Sequence, residues 1–398
     1  MLNFSVDCLN DIIECLENDP KTLYSCLLVN RIWCKVSVRI YWRNIRNLNT
    51  LIACLPNDSK KILHNNGISI STSKTPVFNY ASFCKYLEVH KVINNVGHFL
   101  QKWESPNLSN DITMLSQEIF KLLMCQISSL REITFIKTAS IIFTSYPGAK
   151  NCLKYLTKLY CNSNIYPGFF HLLSQVCHTI QILRIVVFNE VTSNDLANLI
   201  SVQPNLKHFY VTQSSDIVDL TDIIALVAKN TNSLTKFFIR GNLRRVPIPL
   251  STIARFTNLQ KLEFKIIINR YHEDFNELQY VIFPRLQSLI FSLRCPKNEI
   301  LIKFLENNGK NLKEFCARSY GLYDNSLDLA IAKFCPNLRN LSIRIEHDVL
   351  ETLKLFLVSC QYLESLRVFD DRYPYVNTDD ISEKIMKYSP KLKLHFCL

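Results

Sequence analysis

The feature that most constrains this chain is a short signature that returns at nearly constant intervals from residue 130 onward. It reads leucine, two variable residues, an apolar residue, one variable residue, another apolar residue. SLREITF, YLTKLYC, TIQILRI, NLKHFYV, SLTKFFI, NLQKLEF, RLQSLIF, NLKEFCA, NLRNLSI and YLESLRV are its ten occurrences. Their leading residues are Leu130, Leu156, Ile180, Leu206, Leu234, Leu259, Leu286, Leu312, Leu338 and Leu363, at steps of 26, 24, 26, 28, 25, 27, 26, 26 and 25 residues. The alternation inside each unit is that of a strand with one buried face. Between units lie stretches with helical apolar spacing, such as 222–229, 299–306 and 349–358. One such unit cannot bury both of its apolar surfaces, whereas stacked copies share a continuous core. The expected product is an α/β solenoid of parallel strands on a concave face and helices on a convex face.

The period lies within the range of about 20–29 residues of leucine-rich repeats, and the signature resembles that family. Pro204-Asn205, Pro284 and Pro336-Asn337 precede several strands and end the helix before them. The asparagine usual after the strand is mostly missing, with Asn164 and Asn242 at that position. The last unit, SPKLKLHFCL, fits imperfectly and is expected to cap the stack.

The amino-terminal 46 residues have a different pattern. Val6, Leu9, Ile13 and Leu16 recur at helical spacing, with Ile12 widening the stripe. Asp19-Pro20 supplies an N-cap and a first-turn proline for a second helix carrying Leu23, Leu27 and Leu28. Asn30 caps a third that runs through Trp33 and Val36 towards Tyr41-Trp42. A unit this short exposes more apolar surface than it can enclose. This segment resembles an F-box, on Phe4-Ser5, the paired Ile12-Ile13, Val29-Asn30-Arg31-Ile32-Trp33 and the trailing Trp42. Ser5 stands where the family pattern has proline, and Asn30 where it has cysteine.

The domain reading is therefore an F-box over 1–46, a connector with an exposed loop over 47–110, and a solenoid of about ten repeats plus a carboxy-terminal cap over 111–398. In the connector, 51–55 and 82–94 are expected to be helical, 67–80 to be an exposed loop, and 104–110 a break. The run 112–127 is expected to be a helix closing the solenoid's open end.

An F-box followed by leucine-rich repeats resembles the substrate receptors of cullin-based SCF ubiquitin ligases. That resemblance implies a non-catalytic subunit whose F-box docks on the ligase's small adaptor protein while the solenoid holds a target. The residues it assigns to the adaptor are Val6, Leu9, Ile13, Leu16, Leu27, Val29 and Trp33, some of which must form the module's own core. Trp42 is expected to pack the module onto the connector.

In the strand register, residues between the inward positions face the concave side. These are Arg184, His208, Tyr210, Lys236, Phe238, Arg240, Lys261 and Lys265, with Glu263 among them and Arg318, Arg344 and Arg367 further along. Cations mixed with rings suit an acidic or phosphorylated protein segment. The net charge of +12 comes almost entirely from outside the first 46 residues. It leaves two other readings: a solenoid scaffold without a ligase role, and a basic solenoid binding nucleic acid. The modest charge for the length, and Glu132, Glu263 and Glu314 on the same face, argue against nucleic acid.

No phosphate-cradling glycine loop, nucleophile elbow or His-Glu-x-x-His occurs, and no enzyme activity is expected. The 15 cysteines contain no Cys-x-x-Cys, so neither a metal nor another cofactor is expected. Cys177, Cys335 and Cys360, each three residues before a leading apolar residue, read as small buried packing. No apolar stretch approaches membrane-spanning length, and a cytoplasmic or nuclear location is expected.

Overall fold

A computed structural model describes residues 5–68, 70, 76–102, 107–136, 141–166, 168–188, 194–215, 218–230, 232–242, 250–267, 274–293, 295–317, 325–345, 348–369 and 378–397. The chain forms two compact units, Met1–Ile180 and Gln181–Leu398.

The first unit opens with α1 (Val6–Glu14), α2 (Pro20–Leu27) and α3 (Arg31–Tyr41). Each is started by the residue its sequence offers. The Ser5 hydroxyl accepts from the Cys8 N–H at 3.2 Å. An Asp19 carboxylate oxygen accepts from Thr22 N–H at 3.1 Å, with Pro20 at the first helical position. The Asn30 amide oxygen accepts from Ile32 and Trp33 at 2.9 and 3.0 Å. Such caps each stabilise a helix by about 1 kcal/mol. Ser5 and Asn30, the departures from the F-box pattern, are thus the cap residues of α1 and α3.

The connector is more regular than its sequence suggests. It contains α4 (Leu48–Ala53), α5 (Asn57–Asn65), β1 (Tyr86–Glu88) and α6 (Val89–Gln101), followed by α7 (Leu108–Gln126). The helix expected over 82–94 is a correction: a 3-10 turn at Tyr80–Phe83 leads into β1, and helix begins only at Val89. Cys84, Leu87 and Val89 are buried, in the places that leucine and two apolar residues hold in the other repeats. A repeat is therefore present before the first one visible in sequence. Of the loop expected at 67–80, residues 69 and 71–75 lie outside the described residues, as do 104–106 of the expected break.

β2 (Glu132–Phe135), α8 (Ala149–Leu153), β3 (Lys158–Asn162) and α9 (Phe169–Val176) complete this unit. Its three strands are parallel and adjacent in chain order, with Leu87 beside Ile133 and Ile133 beside Leu159. The buried asparagine is Asn162, whose amide donates to the Ile136 carbonyl, rather than Asn164.

The second unit runs β4 (Ile182–Val187), α10 (Asn194–Ser201), β5 (His208–Gln213), α11 (Thr221–Val227), β6 (Lys236–Asn242), α12 (Leu250–Ile253), β7 (Lys261–Ile267) and β8 (Ser288–Phe291). It continues with α13 (Asn298–Asn308), β9 (Glu314–Ala317), α14 (Ser326–Phe334), β10 (Asn340–Arg344), α15 (Val349–Ser359), β11 (Ser365–Phe369), α16 (Thr378–Tyr388) and β12 (Lys393–Cys397). All nine strands are parallel and pair in chain order. One inward row is Leu183, Phe209, Phe237, Leu262, Leu289, Phe315, Leu341 and Leu366; every member is buried. This is a leucine-rich-repeat solenoid, with phenylalanine substituting for leucine at several rungs. Phe264 and Phe291 stack at 5.3 Å with Phe275 set edge-on, so the wide rungs interlock.

The asparagine that precedes the leading leucine in several repeats also ties the turns together. Asn258 donates to the Asn232 carbonyl at 2.8 Å, Asn311 to Pro284 at 3.2 Å and Asn337 to Lys310 at 2.9 Å. An asparagine rung thereby joins successive turns at the edge where strands begin. The final unit is a full strand, β12, with Leu394 beside Leu366 and Phe396 beside Val368. Its leading leucine, Leu392, sits one residue closer to the strand than in other repeats, which blurs its signature.

Candidate functional site

Within α1–α3, Leu9, Ile13, Leu23, Cys26, Val36 and Ile40 close on one another, with Leu16, Trp33 and Tyr41 packed against them. This divides the residues assigned to adaptor contact. Leu9 and Ile13 are fully buried in the module's own core and present no surface, which corrects their assignment as contact residues. Leu16, Leu27 and Trp33 are half-buried, while Val6 and Val29 stand exposed.

The structure adds four apolar residues to the exposed set: Ile12, Tyr24, Leu28 and Ile32. Leu28 is 73% exposed, Val29 58% and Ile32 56%. Tyr24 lies one helical turn before Leu28, and Ile32 follows the Asn30 cap. The four side chains Tyr24, Leu28, Val29 and Ile32 therefore gather at the corner between α2 and α3. Scattered exposed apolar residues are ordinary, whereas a group at one corner makes a candidate contact surface. The signal in sequence was the run Leu27-Leu28-Val29, since three consecutive apolar residues cannot all face one core.

This module is fixed to the first repeat by polar and aromatic contacts. Arg43, just past α3, donates to Glu14 at 2.7 Å and to Glu17 at 2.9 Å. The Tyr86 hydroxyl on β1 donates to the same Glu17 oxygen at 2.9 Å. Burial pushes the Glu17 carboxyl up, but the Arg43 and Tyr86 hydrogen bonds outweigh it and hold the group below the ordinary glutamate value. The Arg43 carbonyl accepts from Lys85 and Tyr86 N–H, and Trp42 is buried against Tyr80 with ring centroids 4.6 Å apart. Trp42 thus packs the helical module onto the connector, as its place in sequence suggests.

In the second unit, the strand registers put all eight expected face residues on the side opposite the inward rows. His208, Lys236 and Lys261 are neighbours across β5, β6 and β7. Arg184, Tyr210, Phe238 and Glu263 form the next row, and Arg240 and Lys265 the third. The Arg184 guanidinium lies 4.8 Å from the Tyr210 ring centroid, and Tyr210 lies 5.8 Å from Phe238. A cation over the Tyr210 ring, with Phe238 beside that ring, makes a mixed cationic and aromatic platform.

Charge on this face is uneven. Lys261 is paired with Glu263 at 3.7 Å and Glu314 at 3.4 Å, and Ser288 donates to Glu314 at 2.5 Å. Lys236, Arg240 and Lys265 have no acidic partner among the described residues. Burial first, then Lys236 and Lys207, lowers the His208 value below the ordinary histidine value, which favours the uncharged ring. The free positive charge is therefore concentrated on β6 and β7 beside the Tyr210–Phe238 platform. Arg344 and Arg367 share the face further along, and Arg318 lies outside the described residues.

Among the described residues no cluster of three His, Cys, Asp or Glu side chains is placed to hold a metal, and no helix is long and apolar enough to cross a membrane. Cys177, Cys335 and Cys360 are buried, and Cys177 and Cys360 donate to the Leu156 and Cys335 carbonyls, each at 3.4 Å.

No protein-family model matches the chain, and no curated protein matches it. Among solved structures, it is similar to the leucine-rich repeat-containing protein LegL7 from Legionella pneumophila, at 13% identity and a TM-score of 0.36, over 60% of this chain and 82% of that one. It is also similar to the Rad7 and Elc1 complex in yeast, at 13% identity and a TM-score of 0.41, over 98% of each chain. The fold assignment rests on the strand registers and inward rows, not on these likenesses.

Proposed function

We propose that this chain is a non-catalytic substrate-recognition subunit of an SCF-type ubiquitin ligase. The carrying observation is the exposed apolar corner of Tyr24, Leu28, Val29 and Ile32 on an F-box-like module fixed to a repeat array. Leu27 and Trp33 adjoin that corner in sequence, the half-buried Leu16 packs against the module's core, and Val6 and Ile12 add apolar surface on α1. A small adaptor protein is the partner this reading assigns to them, with the F-box resemblance as its support. The repeat array has the complementary role. Its open sheet face presents Lys236, Arg240 and Lys265 around the Tyr210–Phe238 platform, a chemistry suited to an acidic or phosphorylated segment of a target protein.

The test is a titration of the purified chain with the ligase's adaptor. Sub-micromolar binding is expected, and a Leu28→Ser/Ile32→Ser variant should bind at least about tenfold more weakly, a loss of about 1.4 kcal/mol. Both residues are exposed, so the variant's melting temperature should match that of the parent. Failure of the parent chain to bind would leave the scaffold reading in place. The pairing of Lys261 with two glutamates interrupts the positive charge along the face, which weighs against a continuous nucleic-acid track.

A further inference from the structure

A second charged feature of the Gln181–Leu398 unit lies away from the open sheet face, along the edge where the strands begin. There the turns before β8, β9 and β10 enclose a concavity of about 400 Å³. Arg285, Lys310, Lys313 and Arg339 line it together with Gln260 and Gln287. We propose that this rim is a binding site for a ligand carrying two adjacent phosphate groups. The inference is independent of the ubiquitin-ligase reading.

The placement follows from the repeat. Gln260, Gln287, Lys313, Arg339 and Glu364 each follow the leading leucine of their unit, and their backbones are joined rung to rung: the Gln287 N–H donates to Gln260, Lys313 to Gln287, Arg339 to Lys313 and Glu364 to Arg339, all at 2.8 Å. The Asn311 and Asn337 side chains are used up in tying the turns together, so the floor is rigid. What projects from it is cationic in the middle and neutral or acidic at the ends. Arg339 is paired with Glu364 at 3.0 Å. Arg285, Lys310 and Lys313 have no acidic partner among the described residues. Three like charges held over one concavity repel each other unless an anion enters.

The charge and the spacing select the ligand. Each phosphate monoester carries about −1.5 to −2 at neutral pH, so two of them match the three free cations plus the shared Arg339, whereas one carboxylate does not. Neighbouring strands stand about 4.8 Å apart, which brings the groups in the turns before β8, β9 and β10 within reach of adjacent phosphates rather than distant ones. The Gln260 and Gln287 amides supply neutral donors beside the cations. Glu364 at one end and Gln260 at the other confine the positive charge to about three repeats, too short a track for a polynucleotide.

The experiment is calorimetric titration of the full chain with inorganic pyrophosphate at about 150 mM salt, where diffuse surface attraction is screened. Three proteins are compared: the parent, Lys310→Gln/Lys313→Gln on the rim, and Lys236→Gln/Arg240→Gln on the open sheet face. The parent is expected to bind saturably and to gain thermal stability with the ligand. The rim variant is expected to lose at least about tenfold in affinity, and the open-face variant to bind as the parent does. No saturable heat, an unchanged rim variant, or an equal loss in the open-face variant would overturn the site. A peptide with two adjacent phosphoserines, run on the same three proteins, separates the sources of the chemistry. Tighter binding than pyrophosphate with the same rim dependence assigns the site to a phosphorylated protein. Pyrophosphate binding without peptide binding assigns it to a free diphosphate.

Discussion

At the scale of single residues, two glycines with left-handed backbone make a matched test of local packing. Gly148 and Gly168 have φ of 83° and 86° and precede α8 and α9. A Cβ on Gly148 would stand 2.4 Å from the Met124 carbonyl oxygen, while one on Gly168 meets nothing within 4 Å. Both alanine variants bear the conformational cost of about 1–2 kcal/mol, and only Gly148→Ala adds a backbone clash. Denaturant midpoints should therefore fall further for Gly148→Ala than for Gly168→Ala, and equal shifts would contradict the close approach. Arg43 offers a second test. Because the Glu17 value is lowered in the folded state, its contribution to stability is present above the ordinary glutamate value and lost as pH falls through the folded value. Melting temperature should drop on acidification in the parent, and an Arg43→Ala variant should show a weaker dependence over that window. A parallel pH profile for the two proteins would remove Arg43 as the group holding Glu17.

At the scale of elements, the strands were readable because two periods coincide. Alternation of two inside each strand and a step near 26 between strands leave the inward residues little choice, and Leu130 to Leu363 are buried as that pattern requires. Where one period fails, the reading fails with it. β1 was missed because Cys84 holds the leucine position and α6 and α7 lengthen the interval to the next repeat. Asn164 reads as the post-strand asparagine in sequence, whereas the buried one is Asn162, because a turn and a strand end look alike without a partner strand. The same logic ranks substitutions. Phe237→Ala, emptying a fully buried rung beside Phe209 and Phe256, should cost about 3–5 kcal/mol. Asn337→Ala, which removes one turn-to-turn hydrogen bond, should cost about 1 kcal/mol. Chemical denaturation of both variants checks the order, and a larger loss for Asn337→Ala would mean that the rungs, not the core, hold the stack.

At the scale of the whole molecule, the cysteines report on the fold without a ligand. Cys8, Cys15 and Cys125 are exposed, while Cys26, Cys84, Cys152, Cys161, Cys177, Cys335 and Cys360 are buried. Burial raises the Cys84 and Cys152 thiols to about 12 and Cys360 to about 11. A native thiol-reagent titration should show a fast class containing the three exposed cysteines and a class of seven that reacts only on unfolding. Because these values are raised in the folded state, the neutral-thiol contribution is complete below about pH 9 and lost as pH climbs towards 12, so stability should fall in that range. The division of the apolar residues of α1–α3 between core and surface was the part sequence could not supply. Leu9 and Leu28 are the same residue type on short amphipathic helices, and only the packing of α1 and α2 against α3 separates them.

The surface left over from that packing is the proposed seat of a protein adaptor. Hydrogen–deuterium exchange of the full chain, with and without the ligase adaptor, tests it most directly. Slowed exchange is expected at the α2–α3 corner around Tyr24–Trp33, with the strands from β4 to β12 unchanged. Protection absent from that corner, or confined to the repeat array, would contradict it.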